Sequence, residues 1–363
     1  MTGHNPGMPV TGHTRSGRRP ASIRDVADAA GVSYQTVSRV INGHPSVRPA
    51  TRARVEAAVA ALGFRRSATA HALASGRTRA LTVLTSNTTH YGYAAALRGI
   101  EEAARAASFA VGIAVLESEE DEVVRDAVRR ATDTGGGLIV IAYDRPGVRA
   151  LQLLPDDAPV VAAVETPATT PPPGSPWVWT DDRAAAHRMT RHLLDLGHHT
   201  VHYLAIPSTT DSTGTGTGDG AQRAAGWRDA LREAGRPIPE PRPAGWEPAD
   251  GYAAGQRLAR DPEVTAVLCG NDALALGVLR ALREAGRDVP RDISVAGFDD
   301  APHSAYLTPA LTTVRLDFTG LGRATFALLH GLLEAGEPVT PHPVAQPELI
   351  IRESTGPAPR PPR

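Results

Sequence analysis

Apolar positions in the first 65 residues recur with a helical period. Ile23, Val26, Ala27 and Ala30 fall at i, i+3, i+4 and i+7, one face of a helix. Ser22 with Asp25 three residues on makes a capping-box-like start. Gly31 allows a tight turn, and Ser33 can cap a second helix that buries Val37, Val40 and Ile41. The other face of that helix presents Tyr34, Gln35, Ser38 and Arg39. After the Gly/Pro-punctuated GHPSVRP, a third helix is expected from Pro49 to Leu62. Its inward face would be Val55, Ala58, Val59 and Leu62, and Gly63 would stop it. A helix held down on one side, with hydrogen-bonding side chains near its N-terminus on the other, is what a major-groove reader needs.

Residues 67–75 read as a short helical segment closed by Gly76, with Leu73 its one large apolar side chain. Alone it is too short to be a stable helix. From Ala80 the pattern changes to alternating strand and helix. The runs ALTVLTS, FAVGIAVLE, GLIVIAY and PVVAAVE alternate with helices over 94–108, 119–132 and near Val148. Continuous Val/Ile/Leu runs between helices predict strands buried on both faces, hence a parallel sheet with right-handed crossovers. The Pro-rich TPATTPPPGSP marks a crossing point, and a second series is expected from Trp177. It comprises helices over 183–196, 221–234, 250–260 and 272–285 with strands VHYLAI, AVLCG and ISVAGF. Two such units leave a cleft between their strand ends, where small ligands bind.

The expected organisation is a disordered leader (1–20), a helix-turn-helix DNA-binding head (21–66) and a hinge helix with linker (67–79). A core of two Rossmann-like α/β subdomains with an effector-binding cleft (80–355) and a flexible tail (356–363) follow. The fold class is thus an N-terminal all-α helix-turn-helix head plus an α/β core.

Charge changes the picture. The 363 residues carry 38 basic and 39 acidic groups, a net −1. Residues 1–79 hold 12 of the arginines against Asp25, Asp28 and Glu56, so the head is basic and the body acidic. That asymmetry points to nucleic-acid binding through the head alone. No apolar run of about 18 residues exists to span a membrane. The polar, Gly/Pro-rich N-terminus has no apolar core of a signal peptide. One cysteine, Cys269, excludes an intrachain disulfide and fits a reducing cytosol, so a cytoplasmic, nucleoid-associated protein is expected. No Ser/His/Asp, metal or phosphate motif assembles, so neither catalytic nor metal-binding residues nor a cofactor are expected. His187, His192, His198 and His199 read as a solvated helix end. The Gly/Thr stretch 207–220 reads as a surface loop without Walker spacing.

Several long motifs carry a resemblance. AGVSYQTVSRVING, GRTRALTVL, HLLDLGHHTVHYLA, NDALALGVLRALREAG, VPRDISVAGFDD and PALTTVRLDF occur in this order. They resemble the LacI/GalR family of bacterial transcriptional repressors, in its lac-repressor-like branch, over about residues 22–355. The resemblance implies a core like the type I periplasmic binding proteins and a homodimer with one head per half of a near-palindromic operator. It implies that Tyr34, Gln35 and Arg39 read base edges, with Ser33, Thr36 and Ser38 toward phosphates. It matches Leu73 to a leucine inserted at the operator centre. In the cleft it implies effector contacts from Ser86, Trp179, Arg223, Trp246, Asn271 and Asp299. Arg48 stands where the family often has a Ser cap before the third helix. The tail has no heptad, so a tetramerising helix is not expected. The function implied is a repressor released by a sugar inducer, a mono- or disaccharide. The alternative is a repressor activated by a purine or nucleoside corepressor.

Overall fold

The computed structural model describes residues 21–41, 43–64, 79–133, 136–155, 158–164, 176–207, 219–335, 342–343 and 346–359. The chain divides into two compact units, 1–78 and 79–363.

In the first unit three helices, α1 (Ile23–Ala30), α2 (Tyr34–Ile41) and α3 (Pro49–Leu62), surround Val26, Ala27, Ala30, Val37, Val40, Val55 and Ala58. The capping box forms: Ser22 N donates to Asp25 at 2.6 Å and Asp25 N to Ser22 Oγ at 3.3 Å. Gly31 closes α1 in the left-handed conformation at φ 60°. Leu62, expected inside, is 38% exposed; Phe64, beyond the Gly63 turn, packs on the core in its place. Arg48 gives α3 no side-chain cap.

The second unit holds two parallel sheets. The first subdomain is a six-stranded sheet in the order β11-β5-β4-β3-β1-β2. Its strands are β1 (Ala80–Thr85), β2 (Ala110–Val115), β3 (Gly137–Ala142), β4 (Val160–Val164), β5 (Trp177–Trp179) and β11 (His342–Pro343). Helices α4 (Tyr91–Ala106), α5 (Asp121–Thr132) and α6 (Arg145–Gln152) connect them. The second subdomain has the order β7-β6-β8-β9, from β6 (His202–Ala205), β7 (Arg242–Pro243), β8 (Ala266–Cys269) and β9 (Ser294–Ala296). It carries α7 (Asp182–Asp195), α8 (Asp219–Glu233), α9 (Pro248–Leu258) and α10 (Asp272–Glu284). β10 (Thr313–Arg315) pairs antiparallel with β12 (Glu348–Ile350).

The alternation of strand and helix is as the hydrophobic pattern predicts, with four differences. Trp177–Trp179 does not open the second series: it extends the first sheet beside β4, and the chain crosses after it. β2 is not buried on both faces; as an edge strand it leaves Ile113 and Val115 exposed. The chain then returns to the first subdomain through α11 (Phe318–Ala335), packed on α4. That crossing needs glycine: a Cβ on Gly99 would lie 2.0 Å from Thr319 O, and one on Gly322 2.1 Å from Ala96 O. Finally, the tail is tied down at its start. Gly356 N donates to Ser294 Oγ at 3.0 Å and Ala358 N to Leu196 O at 2.9 Å.

The histidine group splits. His199 is exposed, but His198 is fully buried, with Thr265 Oγ1, Ser294 Oγ and Gly356 O at 3.0–3.2 Å. Burial pushes its pKa down, and the same cause acts on His192. His187 faces Glu233 at 2.8 Å. Among the described residues no three His, Cys, Asp or Glu side chains group to hold a metal ion. Nor is any helix there long and apolar enough to cross a membrane.

Candidate functional sites

α2 is held from beneath by Val37 and Val40. Its outer face displays Tyr34, at 52% exposure, together with Gln35 and Arg39. Ser33 Oγ accepts from Thr36 N at 3.2 Å and lies 2.9 Å from Thr36 Oγ1. Ser33 therefore acts as a helix cap, and the half-buried Thr36 hydroxyl is engaged locally. Ser38 is half-buried. Arg54 on α3 was not singled out by pattern. Its guanidinium donates to Ala30 O at 2.7 Å and Gly31 O at 3.0 Å, pinning the turn between α1 and α2. The macrodipole makes the carbonyl end of α1 a favourable place for that cation. Leu73 lies outside the described residues.

A cavity of about 400 Å³ opens between the strand ends of the two subdomains, the position expected of α/β folds. Four of the six cleft candidates, Arg223, Trp246, Asn271 and Asp299, line it. Arg223 is no surface charge: it is 3% exposed. Its Nε donates to Asp182 Oδ2 at 3.0 Å, Nη1 donates to Gly270 O and lies 3.7 Å from Asp299, and the guanidinium sits 4.2 Å over the Phe298 ring. Asn271 caps α10, accepting from Leu274 N at 2.7 Å, and donates to Trp246 O at 3.1 Å. Asp299 has φ 116°, a left-handed backbone that costs a non-glycine residue about 1–3 kcal/mol. It is held there by Asp299 N donating to Val314 O at 2.8 Å.

Ser86 and Trp179 do not line the cavity. Ser86 Oγ donates to Asp144, the cap of α6, and lies 3.4 Å from Tyr93 Oη. It stands one hydrogen bond behind a lining tyrosine. Trp179 is in the β5 ladder between Val164 and Pro343.

Other lining residues escaped the reading of the sequence: His90, Tyr91, Tyr93, Tyr143, Glu247, Asp272 and Phe318. Their rings form a continuous wall. Tyr93 and Tyr143 meet at 5.2 Å, Tyr91 and Phe318 at 6.0 Å, Tyr143 and Phe318 at 6.2 Å. A usable signal existed in position, since Tyr143 and the SNTTHYGY stretch directly follow strand ends. Aromatics make up only 4% of the chain, so five Tyr, Trp and Phe around one cavity is a concentration.

Asp272 lines the cavity from the second subdomain. It accepts from Ala301 N at 2.8 Å and from Ser304 Oγ and Thr313 Oγ1 at 2.6 Å. Burial pushes its carboxyl up to about 6, against those hydrogen bonds. The Tyr91 hydroxyl is also raised, first by burial and then by Asp299, Asp300 and Asp272. A wall of rings opposite buried carboxylates, an amide and a guanidinium suits a ligand with apolar faces and hydroxyl or amine edges.

Comparison with known proteins agrees with this geometry. Residues 22–67 match the model of bacterial regulatory proteins of the lacI family, and 190–355 that of a periplasmic binding protein-like domain. The chain is 31% identical over 344 residues to the lactose operon repressor of Escherichia coli K12, covering 93% of this chain and 91% of that protein. It is 32% identical over 369 residues to the HTH-type transcriptional regulator reg1 of Streptomyces lividans, covering 93% and 97%. Among solved structures, a lac repressor dimer bound to operator and the anti-inducer ONPF superimposes with TM-score 0.82 at 28% identity, covering 93% of this chain and all of that one. A complex of the regulator CelR with cellobiose gives 0.65 at 27%, covering 93% and 100%. A helix-turn-helix head on a two-subdomain ligand-binding core is the organisation these proteins share, and the chain belongs to the LacI family of DNA-binding transcriptional regulators, not to the enzymes.

Proposed function

We propose that the protein is a repressor released from a near-palindromic operator when a mono- or disaccharide binds in the cavity of the core. The observation that carries this reading is the cavity itself: Arg223, Asn271 and Asp299 beside the faces of Trp246, Tyr91 and Phe318. Planar donors, acceptors and ring faces together suit a polyhydroxylated ring. The lac repressor and cellobiose-bound CelR among its relatives support it. On the head, Tyr34, Gln35 and Arg39 read base edges in the major groove, with Ser33, Thr36 and Ser38 toward phosphates. Leu73 enters the operator centre. The protein acts as a homodimer in the cytoplasm: exposed Ile113 and Val115 on β2, and Tyr306 at 87% exposure, suit contact with a second copy. Ser86 supports the wall from behind through Tyr93.

The test is titration of the operator complex with mono- and disaccharides. A sugar that weakens operator binding about 5–150-fold is the expected result, the usual range of allosteric coupling. No effect from any sugar refutes induction. A purine that tightens binding instead establishes the corepressor reading, which the faces of Tyr91, Trp246 and Phe318 lining the cavity favour as surfaces for a planar base.

A further inference from the structure

One contact at the cavity is explained by neither subdomain alone. His90 precedes α4 in the first subdomain; Trp246 and Glu247 precede α9 in the second. The His90 Nε2 atom lies 2.9 Å from Glu247 Oε1. The imidazole also stacks on the Trp246 indole, 5.5 Å between centroids and 23° between planes. All three residues line the cavity, while His90 and Glu247 stay partly exposed at 26% and 62% of their side chains, which puts the contact at the rim.

Both sides are held stiffly. Asn87 Oδ1 accepts from Thr89 N and His90 N, each at 2.7 Å, so the turn that presents His90 is tied to itself. Glu247 caps α9 in a capping box with Asp250, whose carboxylate accepts from Glu247 N at 3.0 Å. Trp246 is fixed through its carbonyl, which accepts from Asn271 Nδ2 at 3.1 Å. His90 also sits edge-on to Tyr93 at 6.2 Å, joining the contact to the aromatic wall. Two rigid helix starts thus meet across the opening through one ring face and one hydrogen bond.

We propose that His90, Trp246 and Glu247 form a clasp across the cavity mouth that holds the two subdomains closed and gates the passage of effector. The proposal rests on the reading of this cavity as the effector site. His90 is then a positioning residue for closure. Neither contact is strong alone: a partly exposed hydrogen bond and one aromatic pair are each modest. That suits a gate, which must release.

The test needs no effector. In full-length protein, cysteines replace Arg98 on α4 and Gln256 on α9, both exposed, and carry a donor and acceptor dye; native Cys269 is buried and unlabelled. Single-molecule energy transfer is read in assemblies with one labelled chain. His90→Ala is expected to lower the closed-to-open ratio about 3- to 10-fold, the scale of one exposed pair plus one ring stack. His90→Phe, which keeps the stack and loses the bond to Glu247, is expected to fall between. Glu247→Ala, which also keeps the stack but gives up its side of the capping box of α9, should likewise fall between wild type and His90→Ala. Distributions identical in wild type, His90→Ala and Glu247→Ala overturn the clasp. So does a loss in His90→Ala that appears only with a fallen melting temperature and is absent from both milder variants. Because no ligand enters, failure here leaves the operator titration standing, and failure of that titration leaves this result standing.

Discussion

Arg39 and Arg223 are both helix arginines, and their surroundings separate them. Arg39 is exposed on the outer face of α2, so its removal should touch DNA binding alone. Arg39→Ala should cost roughly 1–3 kcal/mol of operator affinity and relax one base preference, with the melting temperature unchanged. A binding-site selection experiment beside a thermal melt checks both halves. Arg223 faces Asp182 with both side chains almost fully buried. Arg223→Met removes the cationic partner of that buried carboxylate, a loss of about 3–5 kcal/mol readable in urea unfolding. Asp182 was invisible in the sequence as anything but a helix start, because its partner lies 41 residues away. Ser86 and Trp179 matched family positions, yet the Ser86 hydroxyl turns to Asp144 and neither residue lines the cavity.

Elements inherit their ends from single residues. α3 begins at Arg48 with a Pro in its first turn and no side-chain cap. Arg48→Ser should therefore stabilise the head by about 1 kcal/mol, seen as a higher denaturant midpoint with the slope unchanged. The docked tail makes a second case. His198 is buried and its pKa lowered by that burial, so the folded protein resists a proton that the unfolded chain accepts. The stability this confers is present above the unfolded value of about 6.5 and is lost as pH falls through the lowered folded value. His198→Gln should flatten the loss on acidification, measured by urea midpoints at a series of pH values. Asp272 runs the other way: raised to about 6 when folded, it favours folding below its unfolded value, and that contribution is lost as pH rises through 6. The largest omission at this scale is α11. Its apolar content marks a helix, but nothing local says that it returns to the first subdomain to pack on α4 through Gly99 and Gly322.

For the whole molecule, the exposed edge of β2 is the feature with the widest consequence. Six consecutive apolar or small residues read as a buried strand, but position at the sheet edge leaves Ile113 and Val115 at the surface. If a second copy covers them, Ile113→Asp should shift the protein toward monomer in analytical ultracentrifugation. The loss of bivalent operator contact should then weaken binding roughly 100-fold or more. A variant that remains dimeric at full operator affinity would remove this surface from the interface.

Periodicity, caps and turn glycines are local. They alone were enough for three helices around Val26, Val37 and Val55, for the α/β alternation, and for a cleft between two α/β units; that Arg223, Asn271 and Asp299 belong to it came from the family resemblance. Each depends on residues within a few positions, where hydrophobic period and backbone chemistry act directly. Only the tertiary structure decided which apolar strand lies at an edge, which arginine is buried, where the chain crosses between subdomains, and which rings close the cavity. Those depend on pairings between residues far apart in the chain, such as His90 with Trp246 and Glu247, and no local pattern encodes them.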